Sequence, residues 1–491
     1  MAAPASITRH WWLKRLTAWG LVVLLAWSAG HAALWWSGSS RLEAHVDRWR
    51  ADGGPLPEQI VLTPPKPKNP ENAATWIIRA YEMLPPLTRA QSVYWNNAEI
   101  ALPLKGAQLE TMRSIAQQDE PAFAAFRRAY EHPKLDWGTP AVRIETMLPR
   151  LSSYRNLATH LQCAGLVHHQ DAELSEALQC AEDLVFLTEA MVGDGPSVVT
   201  SLVTTGVHGV GTSLLQDIVA RPLGDLTPEQ EREQWRAAAP QVRELIGRLL
   251  NSSVDDRLVH LAVRGERTSI YAVQDLPVAW RLSENNPFTR PFLLHQIDRE
   301  LKQYEQVAQQ ALTARTWSDI APASTWRSTA APQSGAEMMA SSIEDIFDPG
   351  WGRVMLAFWR VRTERRATEV LLAIELYQAD HEGQAPPTLA ALVPEYLPAV
   401  PTDPFAADEG GLCYLASGRT PIVYSAGKDG IYDGGDWRRV GGEVTAGDAW
   451  SMRDVPFLLH QPPDPAVTLA QWLGVEEEPA TLPASTAPAS E

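Results

Sequence analysis

From Leu16 to Trp36 the chain reads LTAWGLVVLLAWSAGHAALWW, 21 residues without a formal charge. That is about the length that crosses the hydrocarbon core of a bilayer. Trp11 and Trp12 precede it and Trp35 and Trp36 close it, as in an aromatic belt. Beyond it the apolar positions take a helical period. Asn69-Pro70-Glu71 predicts a helix start. Glu110–Tyr130 follows, which Pro121 is expected to break into two helices, and then Met147–His168. Asp171–Met191 carries Leu174, Leu178, Ala181, Val185 and Leu187 mostly three to four apart. A loop at Gly193–Pro196 leads to a small-residue helix, Ser197–Ala220, and Thr227 caps another. Helices joined by short loops predict stacked hairpins, an irregular α-solenoid or bundle, although no fixed repeat period is present. Pro287–Gly352 is less regular, with a small polar stretch at Ala321–Gly335. Trp351–His381 predicts a long amphipathic helix. Thereafter short apolar runs at Leu412–Leu415 and Pro421–Ser425 predict a hairpin about Ser417-Gly418.

The expected organisation is a basic N-terminus at 1–15, a transmembrane helix at 16–36 and a spacer at 37–69, Pro-rich from Asp52. A helical domain at 70–350, a small α+β module at 351–460 and a disordered tail at 461–491 follow. The 491 residues exceed one ordinary core, so two or three units are expected. A net charge of −17 and pI of about 5.2 argue against a nucleic-acid binder. The 45% hydrophobic and 21% charged fractions exclude a wholly disordered chain. Three cysteines exclude a disulfide scaffold. Arg9, Lys14 and Arg15 precede the apolar run without any acid, whereas Arg41, Glu43, Asp47, Arg48 and Arg50 mix the signs after it. The positive-inside rule therefore predicts a single-pass protein of a bacterial inner membrane, with a cytoplasmic N-terminus and a periplasmic body. The rival is a cleaved signal peptide ending near Gly30-His31-Ala32. The length of the run and the bulky Trp35 and Trp36 favour an uncleaved anchor.

Ala367–Ser451 holds the most specific pattern. Leu376-Tyr377, Asp380 and Gly383 are followed by Pro387-Thr388-Leu389, Pro401-Thr402-Asp403-Pro404 and Tyr424-Ser425-Ala426-Gly427-Lys428-Asp429-Gly430. This order resembles the C-terminal domain of the major pseudopilin of type II secretion systems, over about 85 of the 491 residues. The resemblance implies a long helix packed on a small antiparallel sheet, and a loop that binds calcium through Asp429, Asp433 and Asp436, with Asp448 as a further candidate. The chain departs from the family in lacking its leader and its Gly-Phe-Thr-Leu-x-Glu start, so pseudopilus assembly is not implied. The whole arrangement also resembles uncharacterised membrane-anchored bacterial envelope proteins.

Read by itself, the loop has two accounts. Its three acids between glycines suit a calcium ion, which takes six to eight oxygens, but Asp-Gly turns also use carboxylates to cap amides. His160, Cys163, His168 and His169 cluster near a helix end, without the second ligand pair that zinc wants. Cys163 and Cys180 lie about eight residues either side of a turn near Gln170–Ala172; a disulfide and two buried thiols are both open. Gly206–Ser213 lacks the lysine of a phosphate loop and is expected to allow close helix packing. Glu375 and Asp380 are an imaginable acid–base pair, but Asp380 is expected to fix a turn. With no strong catalytic motif, the expected function is a non-enzymatic envelope scaffold or interaction protein with an unknown envelope partner. The alternative is a periplasmic hydrolase whose site lies in the helical body, marked by a deep pocket around His160–Asp171 or His208.

Overall fold

The computed structural model describes residues 7–51, 56, 66–88, 91, 102–138, 144–195, 197–272, 290–320, 351–416, 420–437, 449–460 and 472. The expected tail, apart from Trp472, and the Ser417-Gly418 turn lie outside them. The apolar run forms a single helix, α1 (Ile7–Ala51). Its most apolar window has mean hydropathy 1.4 and is 0% buried against the rest of the chain, which makes it a candidate membrane span by length and composition. The helix does not end at Trp36. Residues 37–51, expected as spacer, continue it and bury Leu42, His45, Val46 and Trp49. Those positions recur at helical spacing and face α9 (Arg290–Thr313) and α8 (Ser253–Ala272). An added Cβ on Gly38 would stand 2.9 Å from Leu294 Cβ, so the α1 and α9 backbones approach closely there. His45 bridges Asp298 (3.1 Å) and Glu305 (2.9 Å).

The body is built of helices, as expected, with shifted boundaries. Helix α2 (Ala73–Met83) is capped by Asn72, not Asn69: Asn72 Oδ1 accepts from Ala74 N at 3.2 Å and Asp136 N at 3.0 Å. Helix α3 (Gly106–Arg127) runs unbroken through Pro121. Pro121 is on the exposed face, and so is Gln117, whose carbonyl loses its helical donor to the missing N–H. Buried Met112, Ile115, Phe123 and Phe126 hold the helix together on both sides of it. Helices α4 (Ile144–Gln170) and α5 (Leu174–Met191) form a hairpin turning at Asp171–Glu173. Helix α6 (Val198–Ala220) is also long and apolar enough to span a membrane, but 61% of its window is buried among its neighbours, so it is a core helix. Helices α7 (Pro228–Leu249), α8, α9 and the short α10 (Trp317–Ile320) complete the body.

Helix α11 (Trp351–Asp380) is amphipathic only in its first half, where Val354, Met355, Phe358 and Trp359 form the buried stripe. Every residue from 367 to 376 is buried, because α6 and α7 pack on one side and the sheet on the other. That sheet is three-stranded and antiparallel in the order β1 (Cys413–Leu415), β2 (Ile422–Ser425), β3 (Val455–Leu458). Tyr414 pairs with Val423, and Val423 with Phe457. The third strand was not expected from the sequence. Val423, Val455 and Phe457 join the main core, whereas Ile422, Tyr424 and Leu458 pack with Trp437 and Met452 on the other face. Among the described residues, one main core cluster draws members from Leu42 to Leu459. The segment 351–460 therefore shares its core with the body.

Candidate functional site

A cleft of about 660 Å³ opens where α3's N-terminal approach, α4, the α6–α7 loop, α7 and the end of α11 meet. The last turn of α4 brings His169 to it. The α6–α7 loop crosses beside that turn because Gly224 has φ +54° and no side chain; a Cβ would stand 2.9 Å from Gln170 O and 3.2 Å from Ala172 Cβ. The following helix starts on a capping box, with Thr227 Oγ1 accepting from Gln230 N and Gln230 Oε1 from Thr227 N. This start sets Glu231 and Trp235, four residues apart, toward the cleft. On α11, Glu375, Gln378 and Ala379 share one face and form the opposite wall.

Glu375 is 9% exposed, and none of the described residues hydrogen-bonds its carboxyl. Burial pushes its pKa up to about 8, and Glu231 raises it further. Glu231 Oε1 accepts from Leu223 N at 3.2 Å; burial raises it too, while that bond and Arg232 act the other way. His169 is 6% exposed, and its Nε2 has no hydrogen-bond partner. Burial lowers its pKa to about 4, against backbone hydrogen bonding at Ile218 and Arg221. At neutral pH the cleft thus holds a protonated carboxyl at Glu375 and a neutral imidazole at His169, with Glu231 beside them, between apolar walls from Leu166, Val219 and Trp235. This set can donate one proton, accept hydrogen bonds and host a positive charge.

The residues singled out from sequence separate. Asp380 accepts from Tyr396 OH at 3.0 Å and does not pair with Glu375. His160 Nδ1 lies 2.5 Å from buried Asp119, His168 Nδ1 lies 2.6 Å from Glu173, and only His169 reaches the cleft. No group of three or more metal-ligating side chains is present among the described residues. Cys163 and Cys180 are both buried and free, and burial pushes the Cys163 thiol up to about 12. Gly206–Ser213 lies inside α6; of its glycines, Gly211 permits a close approach to Leu184. His208 is enclosed in the core with both ring nitrogens unpartnered. Glu231, Arg232 and Trp235 were not anticipated. The available signal was their spacing on the helix that Thr227 caps.

In the acidic loop, Asp433 and Asp436 converge on Arg453 Nη1, each at 3.8 Å. Asp429 stands apart, accepting from Ile431 N at 3.1 Å, as an Asp-Gly turn does. Buried Asp454 organises the loop by accepting from Asp433 N (3.2 Å), Gly435 N (2.8 Å) and Asp436 N (3.1 Å). Two of the three expected carboxylates thus converge, and Asp448 lies outside the described residues. The Pro401–Pro404 motif has a clear role here. Asp403, 1% exposed, accepts from Phe405 N (3.0 Å), Ser425 Oγ (2.9 Å), Ala426 N (2.8 Å) and Tyr432 OH (3.0 Å), tying three loops together. No family model matches this chain, and no curated protein or solved structure is found to be similar to it.

Proposed function

We propose that the protein is a single-span bacterial envelope protein whose periplasmic body binds a small molecule in the cleft between α4, α7 and α11. One observation supports this above others: Glu375, about nine-tenths buried, lines the cleft and takes no hydrogen bond from any described residue. A buried polar group left unpaired costs about 1–3 kcal/mol, and a ligand that pairs with it offsets that cost. A plain scaffold needs surface, not unpaired groups in a concave site, so ligand binding replaces the scaffold as the first reading. The membrane assignment rests on the apolar half of α1 and the charges flanking it. The pseudopilin likeness of 351–460 remains part of the proposal, with calcium at Asp433 and Asp436 as a stabilising role; the same segment supplies Glu375, Gln378 and Gly383 to the cleft.

A hydrolase is the second reading. Glu375, raised to about 8, beside Glu231, whose rise the Leu223 N–H and Arg232 oppose, has the split character of a general acid and base. The test of binding uses the full chain extracted from its own membranes in mild detergent. Native mass spectrometry is expected to find a co-purifying small molecule on the wild type and none on Gln378→Trp, which fills the cleft. Equal masses of adduct on both proteins, or none on either, contradict the proposal.

A further inference from the structure

We infer that the cleft takes a compound carrying one positively charged amine or guanidine on an apolar body, with Glu375 as its counter-ion. The inference rests on the cleft being the binding site. The argument is one of unsatisfied charge. The charged neighbour acting on Glu375 is itself an acid, Glu231 on α7. Of the nearby cations, Arg221 Nε lies 3.3 Å from Asp217 Oδ1, and Arg232, which lines the cleft itself, acts on Glu231. Lys105, Asp225 and His460 stand at the exposed rim. On α4, His169 is held neutral by burial. His169 Nε2 has no hydrogen-bond partner among the described residues.

The two buried titratable groups of the cleft, Glu375 and His169, are therefore acceptors, Glu375 once it has lost its proton. An ammonium or guanidinium supplies the missing positive charge and the N–H donors together. An anionic ligand would bring its charge up against two acids, Glu231 and Glu375, and supply a counter-ion to neither. The walls from Leu166, Val219, Pro222 and Trp235 suit an apolar body behind the charged head. Pairing with a cation also makes Glu375 ionise. Binding below the pKa of Glu375 must then release a proton, and affinity must rise with pH.

Isothermal titration on the detergent-solubilised full chain tests this with three probes of one shape: phenethylammonium, 2-phenylethanol and 3-phenylpropionate. The expected result is binding of phenethylammonium alone. Its affinity is expected to rise about tenfold or more between pH 6.5 and pH 8.5, with close to one proton released at pH 6.5, read from two buffers of different ionisation heat. Glu375→Gln is expected to lose tenfold or more in affinity and the proton release, while Glu375→Asp keeps both in part. Binding of the alcohol or the carboxylate as tightly as the amine overturns the ligand class, as does unchanged amine binding by Glu375→Gln. If Gln378→Trp still blocks that binding, the cleft survives as the site. Absence of binding by all three overturns the ligand class as well, and the adduct comparison on Gln378→Trp then decides separately whether the cleft is a site at all.

Discussion

Glu375 sits where a helix facing the core ordinarily carries leucine, and its neighbours in sequence, Ile374 and Leu376, are buried core residues. Its pKa is pushed up from 4.5 to about 8, so the folded chain holds the proton over a range in which the unfolded chain has lost it. Folding stability therefore falls as pH rises through that window and levels off above it. Glu375→Gln removes the penalty. It is expected to be near neutral at pH 4.5 and to stabilise by roughly 2 kcal/mol or more above pH 8, since each tenfold change in proton affinity is worth about 1.4 kcal/mol. Urea unfolding at the two pH values measures this, and an effect that does not change with pH contradicts it. The sequence brought Glu375 into view but paired it with Asp380, five residues on, because linear proximity was the one guide. Its actual neighbour, Glu231, lies far away in the chain. Asp403 shows the converse: it belonged to a recognisable motif, but only the fold reveals that it accepts from four donors in three loops.

At the scale of elements, helical periodicity located the body's helices well, and breaker residues misled. Pro121 did not end its helix, because its open carbonyl faces water while the buried stripe continues. The proline-rich stretch after Asp52 made the preceding fifteen or so residues look like spacer, although Leu42, Val46 and Trp49 carry a core stripe of their own. β3 escaped notice because Val455–Leu458 is four residues long and contains a proline. The stripe on α1 carries a prediction. Trp49 is 1% exposed, packed edge-on to Tyr271 at 5.9 Å and under Arg267 at 5.2 Å, so Trp49→Ala is expected to cost about 3–5 kcal/mol. Trp36→Ala, at a position 75% exposed to the outside of the body, is expected to leave its stability unchanged. Equal unfolding midpoints for the two variants in urea contradict the packing of α1 against α8 and α9.

For the whole molecule, length suggested two or three units and the sequence pattern a small α+β module at 351–460. In the structure one core cluster includes residues of both the helical body and that segment: α11 is the wall shared by the body and the sheet, and it carries one side of the cleft. Its burial on both sides could not be read from a period, because a helix surrounded by partners has no polar face. As the shared wall, α11 is expected to open only when the whole body unfolds. The most direct test is native-state hydrogen exchange of the full chain in detergent, followed by mass spectrometry of peptides covering residues 367–379. Their amides are expected to be among the slowest in the protein, exchanging with the free energy of global unfolding and sharing the denaturant dependence of α6. Exchange of 367–379 together with β1–β3, at a lower free energy than α6, would show a module that opens by itself and would contradict a cleft built on a fixed joint.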